Sequence, residues 1–233
     1  MDHEEDINTL RTLVKSAVLI AVPLAMILQQ PDLKNTITIA IIFCILLYIA
    51  GLSYKIIGGA LLIVIPLAVV FLFIVVQPDQ KLIKSYQRNR IMAFLNSEDD
   101  EYSDAVNQQE NSVMAIGSGQ LTGKGLNNNE VASANKGNFV SENQTDFIFS
   151  VAGEELGFIG CVAILLLLLL IIFECIRTSL RAKDTAGKII CCGVASIVAV
   201  QGFINVAVVT KIMPNTGTPL PFVSYGLTSM VSL

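Results

Sequence analysis

Five runs of mostly apolar residues are separated by short polar stretches and by one long polar segment. The runs occupy residues 13–28, 36–52, 56–76, 156–173 and 189–209. A helix rises about 1.5 Å per residue, so each run can cross roughly 30 Å of hydrocarbon as a helix. A sixth run begins near Phe222 and reaches Leu233 after 12 residues. That is too few to span, and we expect the sequence to be cut inside this helix.

The composition indicates a membrane protein. Hydrophobic residues make up 53% of the 233 positions and charged residues 15%, too little charge for the surface of a soluble domain. We predict an all-α, polytopic membrane helix bundle, one domain over residues 1–233, with five complete spans, a truncated sixth and one long outer loop at 78–146. The five cysteines lack disulfide or metal-ligand spacing. The net charge of −4 gives no support for nucleic-acid binding.

Basic residues predict the orientation of the spans. Arg177, Arg181, Lys183 and Lys188 fill the connection between the fourth and fifth runs, and Lys55 lies between the second and third. Cytoplasmic connections carry an excess of Lys and Arg, so both connections should face the cytoplasm. Counting spans then places the long polar segment outside, together with the connection at 211–221. The informative polar motifs therefore share the outer face.

Asp146 lies where the long polar segment enters the fourth apolar run, within Thr145-Asp146-Phe147-Ile148-Phe149. A carboxylate at a membrane interface stays wet enough to ionise and lies within reach of a lipid-linked substrate. We therefore expect chemistry at this junction. The alternative is a helix cap, because acids near a helix start offset the exposed amides and the dipole there.

Positive charge recurs at helical spacing on the outer side, at Lys81, Lys84, Arg88 and, less closely, Arg90. Apolar residues between these positions predict a basic amphipathic helix on the outer leaflet. Such a helix can hold phosphate near the membrane. The alternative is ordinary snorkelling, in which long basic side chains reach anionic lipid without specificity.

A glycine-rich run occupies residues 115–126. It is not a Walker A motif, because the spacing before Lys124 is one residue too short and Gly125 stands where Ser or Thr should hold magnesium. Its amides and Lys124 can form a nest for an anion, or the run is a sharply turned loop that re-enters the protein.

The run after Asp146 carries one small and polar face, formed by Ser150, Gly153, Glu154 and Gly157. This face should point inward, and the two glycines have the spacing of close helix packing. At least one of Glu154 and Glu155 should be partly buried with a partner, so we expect structural support from these acids.

Two further features lie nearer the end of the chain. Gln201 and Asn205 are one turn apart in the fifth run, where amides usually bridge helices by hydrogen bonds. The prolines at 214, 219 and 221 cannot continue a helix and should shape an outer rim near Ser224 and Tyr225.

Taken together, these motifs resemble the SEDS family, typified by FtsW, RodA and SpoVE. The resemblance covers about residues 10–233 and is carried by Gln30-Pro31-Asp32-Leu33, Arg90-Ile91-Met92-Ala93-Phe94, the run at 115–125, Thr145-Asp146-Phe147-Ile148-Phe149, Glu154-Glu155-Leu156-Gly157 and Pro219-Leu220-Pro221-Phe222-Val223-Ser224-Tyr225-Gly226. Departures from the family pattern occur at Lys34-Asn35, Val140-Ser141-Glu142, Gln144 and Leu227-Thr228-Ser229. They indicate a divergent subfamily and leave a role in division, elongation or sporulation open.

The resemblance implies a peptidoglycan glycosyltransferase that polymerises lipid II, the undecaprenyl-pyrophosphate-linked disaccharide peptide, outside the bacterial cytoplasmic membrane. The family's essential acid corresponds to Asp146, either as a base or as a ligand of a divalent metal, Mg or Mn. Residues expected to bind substrate are Arg88, Arg90, Lys124, Glu142, Ser224 and Tyr225, and those expected to support the site are Asp32, Glu154 and Glu155.

Membrane lipids and a class B penicillin-binding protein are the implied partners. Family members have more spans than this chain supplies, so we expect the chain alone to be inactive. Two other function classes stay open, a flippase of lipid-linked precursors and a noncatalytic scaffold for cell-wall assembly. Alternating access usually leaves ionisable groups or broken helices near the midplane of the membrane, and few such features are predicted here.

Overall fold

The computed structural model describes residues 8–29, 33–77, 85–95, 103–126 and 145–225. The regular elements in these ranges are helices: α1 (Leu10–Gln29), α2 (Leu33–Ile49), α3 (Tyr54–Val76), α4 (Ser85–Leu95), α5 (Ser103–Ser118), α6 (Ile148–Arg181) and α7 (Thr185–Val209). Within the described ranges there is no strand. The predicted all-α class is confirmed.

Each of the five apolar runs folds as helix. Among the residues that the structure describes, two helices have the length and apolarity needed to cross a membrane, α6 with 34 residues and α7 with 25. Helices α1, α2 and α3 cover the first three runs. The number of spans and the side of the membrane that the long polar segment faces stay predictions.

The chain divides into two compact units. The first comprises residues 1–84 and 171–197, and the second comprises residues 85–170 and 198–233. In the first unit, the side chain of Asn8 joins the start of α1 to the turn between α2 and α3. It donates to the carbonyl of Gly51 at 3.2 Å and accepts from the amide of Ser53 at 2.9 Å. Gly51 ends α2 with a φ of 105°, a left-handed conformation typical of glycine after a helix.

In the second unit, the segment predicted as a long outer loop contains two helices. A helix that carries Arg88 and Arg90 is confirmed as α4, whereas Lys81 and Lys84 lie outside the described residues and the place of this helix on the outer leaflet stays a prediction. Helix α5 was not predicted, because its polar sequence lacks an apolar stripe. The two helices share a buried cluster of Met92, Ala93 and Val106.

Helix α5 is held by hydrogen bonds to the end of α7. The amide of Gln109 donates to the carbonyls of Val208 at 2.9 Å and Met213 at 2.8 Å, and the hydroxyl of Ser112 donates to Val209 at 3.0 Å. The last carbonyls of a helix have no partner within it, so these side chains cap α7. The buried polar residues of α5 thus explain why a polar sequence packs here.

Helix α6 is broken at Gly157. This residue has a φ of 69° and a ψ of −167°, so α6 consists of two helical segments, 148–156 and 158–181. The sequence predicted a continuous helix here, because an apolar run with one glycine is compatible with helix. Ser150 and Glu154 are buried, as the inward polar face predicted. Phe149 and Val151 are buried too, so both sides of this first segment are covered.

Candidate functional site

Asp146 occupies a turn directly before α6. The turn comprises Thr145, Asp146 and Phe147, and helix begins at Ile148. The Phe147 ring is buried and anchors the turn, whereas Asp146 is half-buried. Because a helix start carries partial positive charge, this position favours an ionised carboxylate.

The backbone of the turn is bound by α7. Asn205 lies in the last part of that helix, and its Nδ2 donates to the carbonyl of Asp146 at 2.7 Å and to the carbonyl of Thr218 at 2.7 Å. The side chain is buried, and among the described residues its Oδ1 has no hydrogen-bond partner. Both protons of the amide are therefore used to join the turn to the segment that follows α7.

That segment, residues 214–225, folds back on the turn. The hydroxyl of Ser224 donates to the carbonyl of Thr145 at 2.6 Å and accepts from the amide of Leu220 at 2.7 Å. Ser224 and Leu220 are buried, whereas the neighbouring Tyr225 side chain is 72% exposed. Ser224 and Tyr225, both predicted to bind substrate, thus lie beside Asp146, and of the two only Tyr225 presents its side chain to the surroundings.

The glycine-rich run forms a loop against the break in α6. Its first residues, 115–118, belong to α5, and the rest turns sharply. Four backbone hydrogen bonds join the loop to α6: the amides of Lys124 and Gly125 donate to Glu154 and Glu155 at 2.9 and 3.1 Å, and the amides of Phe158 and Ile159 donate to Gln120 and Leu121 at 2.8 and 3.2 Å. These bonds satisfy backbone groups that the break in the helix would leave without partners. The predicted re-entering loop is confirmed.

Glycine is required where the loop and α6 touch. A Cβ added to Gly157 would collide with the amide nitrogen of Gly123, and one added to Gly123 would collide with the carbonyl of Glu155. A Cβ on Gly119 would collide with the carbonyl of Gly153. The predicted close packing is confirmed, and at Gly157 it brings backbone against backbone at a helix break.

An ion pair reinforces this contact. The ammonium of Lys124 lies 3.0 Å from Oε1 of Glu154, a buried carboxylate in the first segment of α6. The expectation that at least one of Glu154 and Glu155 is buried with a partner is confirmed. Glu154 lies eight residues after Asp146, about 12 Å along a helix axis at 1.5 Å per residue. Lys124 is thus held on the same segment that Asp146 precedes.

The other predicted site residues are distributed as follows. Arg88 and Arg90 lie half-buried on α4. Glu142 and Asp32 fall outside the described residues. Among the residues that the structure describes, no three His, Cys, Asp or Glu side chains form a group that could hold a metal. A divalent ion at Asp146 stays a prediction.

The most informative residue that the sequence did not place at the candidate site is Asn205. It was predicted to bridge helices, but its partner across 59 positions is the backbone of the candidate catalytic acid. A polar amide inside an apolar run was the available signal. This signal could not identify the acceptor of the hydrogen bond, because hydrogen bonds between distant segments depend on tertiary packing.

Comparison with known proteins places this arrangement in a family. The profile of the cell cycle proteins FtsW, RodA and SpoVE matches residues 2–233. A probable peptidoglycan glycosyltransferase FtsW of Geobacter metallireducens is 35% identical over 214 residues, covering 92% of this chain and 53% of the relative. The peptidoglycan glycosyltransferase MrdB of Escherichia coli is 35% identical over 216 residues, covering 93% of this chain and 55% of the relative.

A solved structure has the same fold. It is a chain of a peptidoglycan synthase complex that coordinates polymerization and crosslinking, with a TM-score of 0.73 at 22% identity over 97% of this chain and 59% of that chain. The present chain spans about half the length of the curated relatives it matches. Since the family profile matches nearly every residue, the chain belongs to the FtsW, RodA and SpoVE family of cell cycle proteins.

Proposed function

We propose that the protein carrying this chain is a peptidoglycan glycosyltransferase that polymerises lipid II at the outer face of the cytoplasmic membrane. Family membership and the activity named for the relatives support this proposal. The structural observation that carries it is Asp146, half-buried in a turn that α7 and the segment 214–225 hold at the start of an apolar helix. A carboxylate fixed at this place suits a reaction on a lipid-linked sugar.

The proposed chemistry uses Asp146 as a general base. Chain growth forms a bond between the 4-hydroxyl oxygen of one sugar and the anomeric carbon of another. The proton of that hydroxyl passes to the Asp146 carboxylate as the bond forms. The bond from the anomeric carbon to the pyrophosphate breaks, and its electron pair leaves with undecaprenyl pyrophosphate. A divalent ion, if bound, would be held by Asp146 and would stabilise negative charge on the leaving pyrophosphate.

Positive side chains are proposed to hold the pyrophosphate. Arg88 and Arg90 offer guanidinium groups on α4, and Lys124 offers three N–H donors, of which one is used on Glu154. Hydrogen bonds between such groups and phosphate are charge-assisted and stronger than neutral ones. Tyr225 is proposed to contact a sugar, because its ring is exposed beside the Asp146 turn.

Membrane placement and partner complete the proposal. We infer a multi-pass protein of the bacterial cytoplasmic membrane with residues 78–146 outside, where the lipid-linked substrate is used. A class B penicillin-binding protein is the proposed partner, since it would crosslink the strands. The likeness of fold to a chain of a peptidoglycan synthase complex supports this choice.

Reconstitution separates the proposed function from the two alternatives. The protein carrying this chain would be placed in liposomes with fluorescent lipid II and the penicillin-binding protein, and glycan strands and transbilayer movement of lipid II would be measured together. Polymer that depends on Asp146 is expected. Movement of lipid II without polymer would indicate a flippase. Absence of both polymer and movement would indicate a noncatalytic scaffold. Either result would overturn the proposal.

A further inference from the structure

Three successive carbonyls in the Asp146 turn each accept a hydrogen bond from a buried side chain. Ser224 donates to Thr145 at 2.6 Å, Asn205 to Asp146 at 2.7 Å and Ser150 to Phe147 at 2.7 Å. The three donors are 5%, 1% and 0% exposed. They come from three parts of the chain, namely the segment 214–225, α7 and α6 itself. Buried donors of this kind are protected from competition by water.

These bonds fix the backbone at Asp146. Each peptide group is planar, so holding its carbonyl holds the whole plane. The Thr145 carbonyl belongs to the plane before the Cα of Asp146, and the Asp146 carbonyl belongs to the plane after it. Ser224 and Asn205 thus restrain both backbone dihedral angles of Asp146.

The same two side chains couple the turn to residues 214–225. Asn205 also binds the carbonyl of Thr218, and the Ser224 hydroxyl also accepts from the amide of Leu220. The turn and this segment are therefore tied as one body. Tyr225 follows Ser224 directly, so its backbone is connected to the same body.

We propose that Asn205 and Ser224 are positioning residues that fix Asp146 against the substrate hydroxyl. This inference rests on the proposed function, in which Asp146 is the base. It gives Ser224 a different part from direct substrate binding, because its hydroxyl already has two partners within the protein. Displacement of a reacting group by about 1 Å can lower a rate about 10²-fold. The two side chains therefore control kcat without touching the substrate.

The chain provides matched controls for both residues. Gln109 is also a buried amide that donates to two backbone carbonyls, those of Val208 and Met213. Ser112 is also a buried hydroxyl that donates to one carbonyl, that of Val209. None of these bonds reaches the Asp146 turn. Gln109→Leu and Ser112→Ala therefore report what loss of a buried hydrogen bond does to the second unit in general.

The experiment compares Asn205→Leu and Ser224→Ala with these controls in the protein carrying this chain. Steady-state polymerisation of lipid II gives kcat and KM at equal folded concentration, with Asp146→Asn as the inactive reference. Hydrogen–deuterium exchange of peptides covering residues 145–149 gives the mobility of the turn without relying on activity. We expect Asn205→Leu and Ser224→Ala to lower kcat about 10²-fold with KM little changed, and to accelerate exchange at 145–149. Both control variants should leave kcat and this exchange unchanged.

The possible failures are distinguishable. Normal kcat in Asn205→Leu and Ser224→Ala, with Asp146→Asn inactive, would overturn the positioning inference and leave the proposed function standing. An equal loss in the Gln109→Leu and Ser112→Ala controls would also overturn it, because general destabilisation would then explain the effect. Full activity in Asp146→Asn would refute the proposed base. In that case, unchanged hydrogen–deuterium exchange at residues 145–149 in Asn205→Leu would still overturn the inference that Asn205 fixes the turn.

Discussion

The ammonium of Lys124 lies 3.0 Å from the carboxylate of Glu154, and the two side chains differ sharply in exposure, at 31% for Lys124 and 3% for Glu154. The lysine therefore keeps access to water, whereas the acid is shielded from it. The pair joins the glycine-rich loop to the first segment of α6, next to two backbone hydrogen bonds between the same segments. Replacing Lys124 and replacing Glu154 should therefore lower the free energy of unfolding by different amounts.

Lys124→Met should destabilise the protein more than Glu154→Gln. The first change leaves a buried carboxylate without its cation, which should lower the free energy of unfolding by about 3 kcal/mol. The second leaves a lysine that can turn to water, at a cost of about 1 kcal/mol. Thermal unfolding in detergent can be followed with a thiol-reactive dye once the four more accessible cysteines are replaced by serine, because the remaining Cys161 is buried in the folded second unit.

A second ion pair on α6 is the control for this comparison. Arg177 lies 3.3 Å from Glu174, and both side chains are about half exposed. Exposed pairs contribute about 0–1 kcal/mol, so Arg177→Met should change the unfolding temperature little. The double variant Lys124→Met/Glu154→Gln should be more stable than Lys124→Met alone. Equal losses in the two single variants would contradict the asymmetry of the pair.

Gly157→Ala should disrupt the contact between the loop and α6. Alanine disfavours the positive φ of this residue, and its Cβ would collide with the backbone of Gly123. Together these effects should lower the free energy of unfolding by about 2–5 kcal/mol. Gly117→Ala is the control, because Gly117 lies inside α5 and has nothing within 4 Å of an added Cβ. It should raise stability by about 0.5–1 kcal/mol, and a loss as large as that of Gly157→Ala would refute the packing argument.

The sequence predicted those features that depend on local composition. Apolar runs predicted helices α1, α2, α3, α6 and α7, and a pattern of small and polar residues predicted the buried face of Ser150 and Glu154. The position of Asp146 at the start of a helix followed from the change from polar to apolar sequence. Hydrophobic periodicity determines these features without reference to the rest of the chain.

Features that depend on distant contacts could not be predicted in this way. The break at Gly157 exists because the loop at 119–125 satisfies the backbone groups it exposes, and the apolar run itself continues through it. Helix α5 is polar, and its place follows from Gln109 and Ser112 binding the end of α7. The partner of Asn205 lies 59 positions away. Such pairings are decided by tertiary packing, which outweighs local propensity.

Asp146→Asn should abolish polymerisation while leaving the fold intact. Asparagine has nearly the same size and can still accept hydrogen bonds, but it cannot take the proton of the attacking hydroxyl. Loss of a general base should lower kcat about 10²–10⁴-fold. Asp184→Asn is a matched control, because Asp184 is an exposed acid at the start of α7 whose carboxylate accepts from the amide of Gly187 at 3.2 Å. Glycan yield and unfolding temperature would be measured for both variants, and wild-type yield from folded Asp146→Asn would exclude the acid from catalysis.

Arg88→Gln/Arg90→Gln should weaken binding of lipid II without lowering kcat. The two arginines are proposed to contact the pyrophosphate, and loss of even one hydrogen bond to a charged group corresponds to about tenfold, so KM should rise at least about tenfold. Higher ionic strength should reduce the difference in KM for lipid II between the wild-type protein and the variant, since salt screens partly exposed charges. Lys124 is left unchanged in this variant, because its ion pair with Glu154 would add a change in stability.

Arg177→Gln/Lys183→Gln is the control for Arg88→Gln/Arg90→Gln. It changes the net charge by the same amount at a different place in the protein. Arg177 is exposed near the end of α6 and Lys183 is exposed in the connection to α7, and the variant removes the same number of positive charges. Membrane insertion, measured as protein yield in the membrane fraction, and KM for lipid II would be determined for both double variants. We expect only Arg88→Gln/Arg90→Gln to raise KM. If both variants had the same KM as the wild-type protein, the arginines of α4 would not bind the pyrophosphate and would only contact anionic lipid without specificity. Other residues would then have to bind the pyrophosphate.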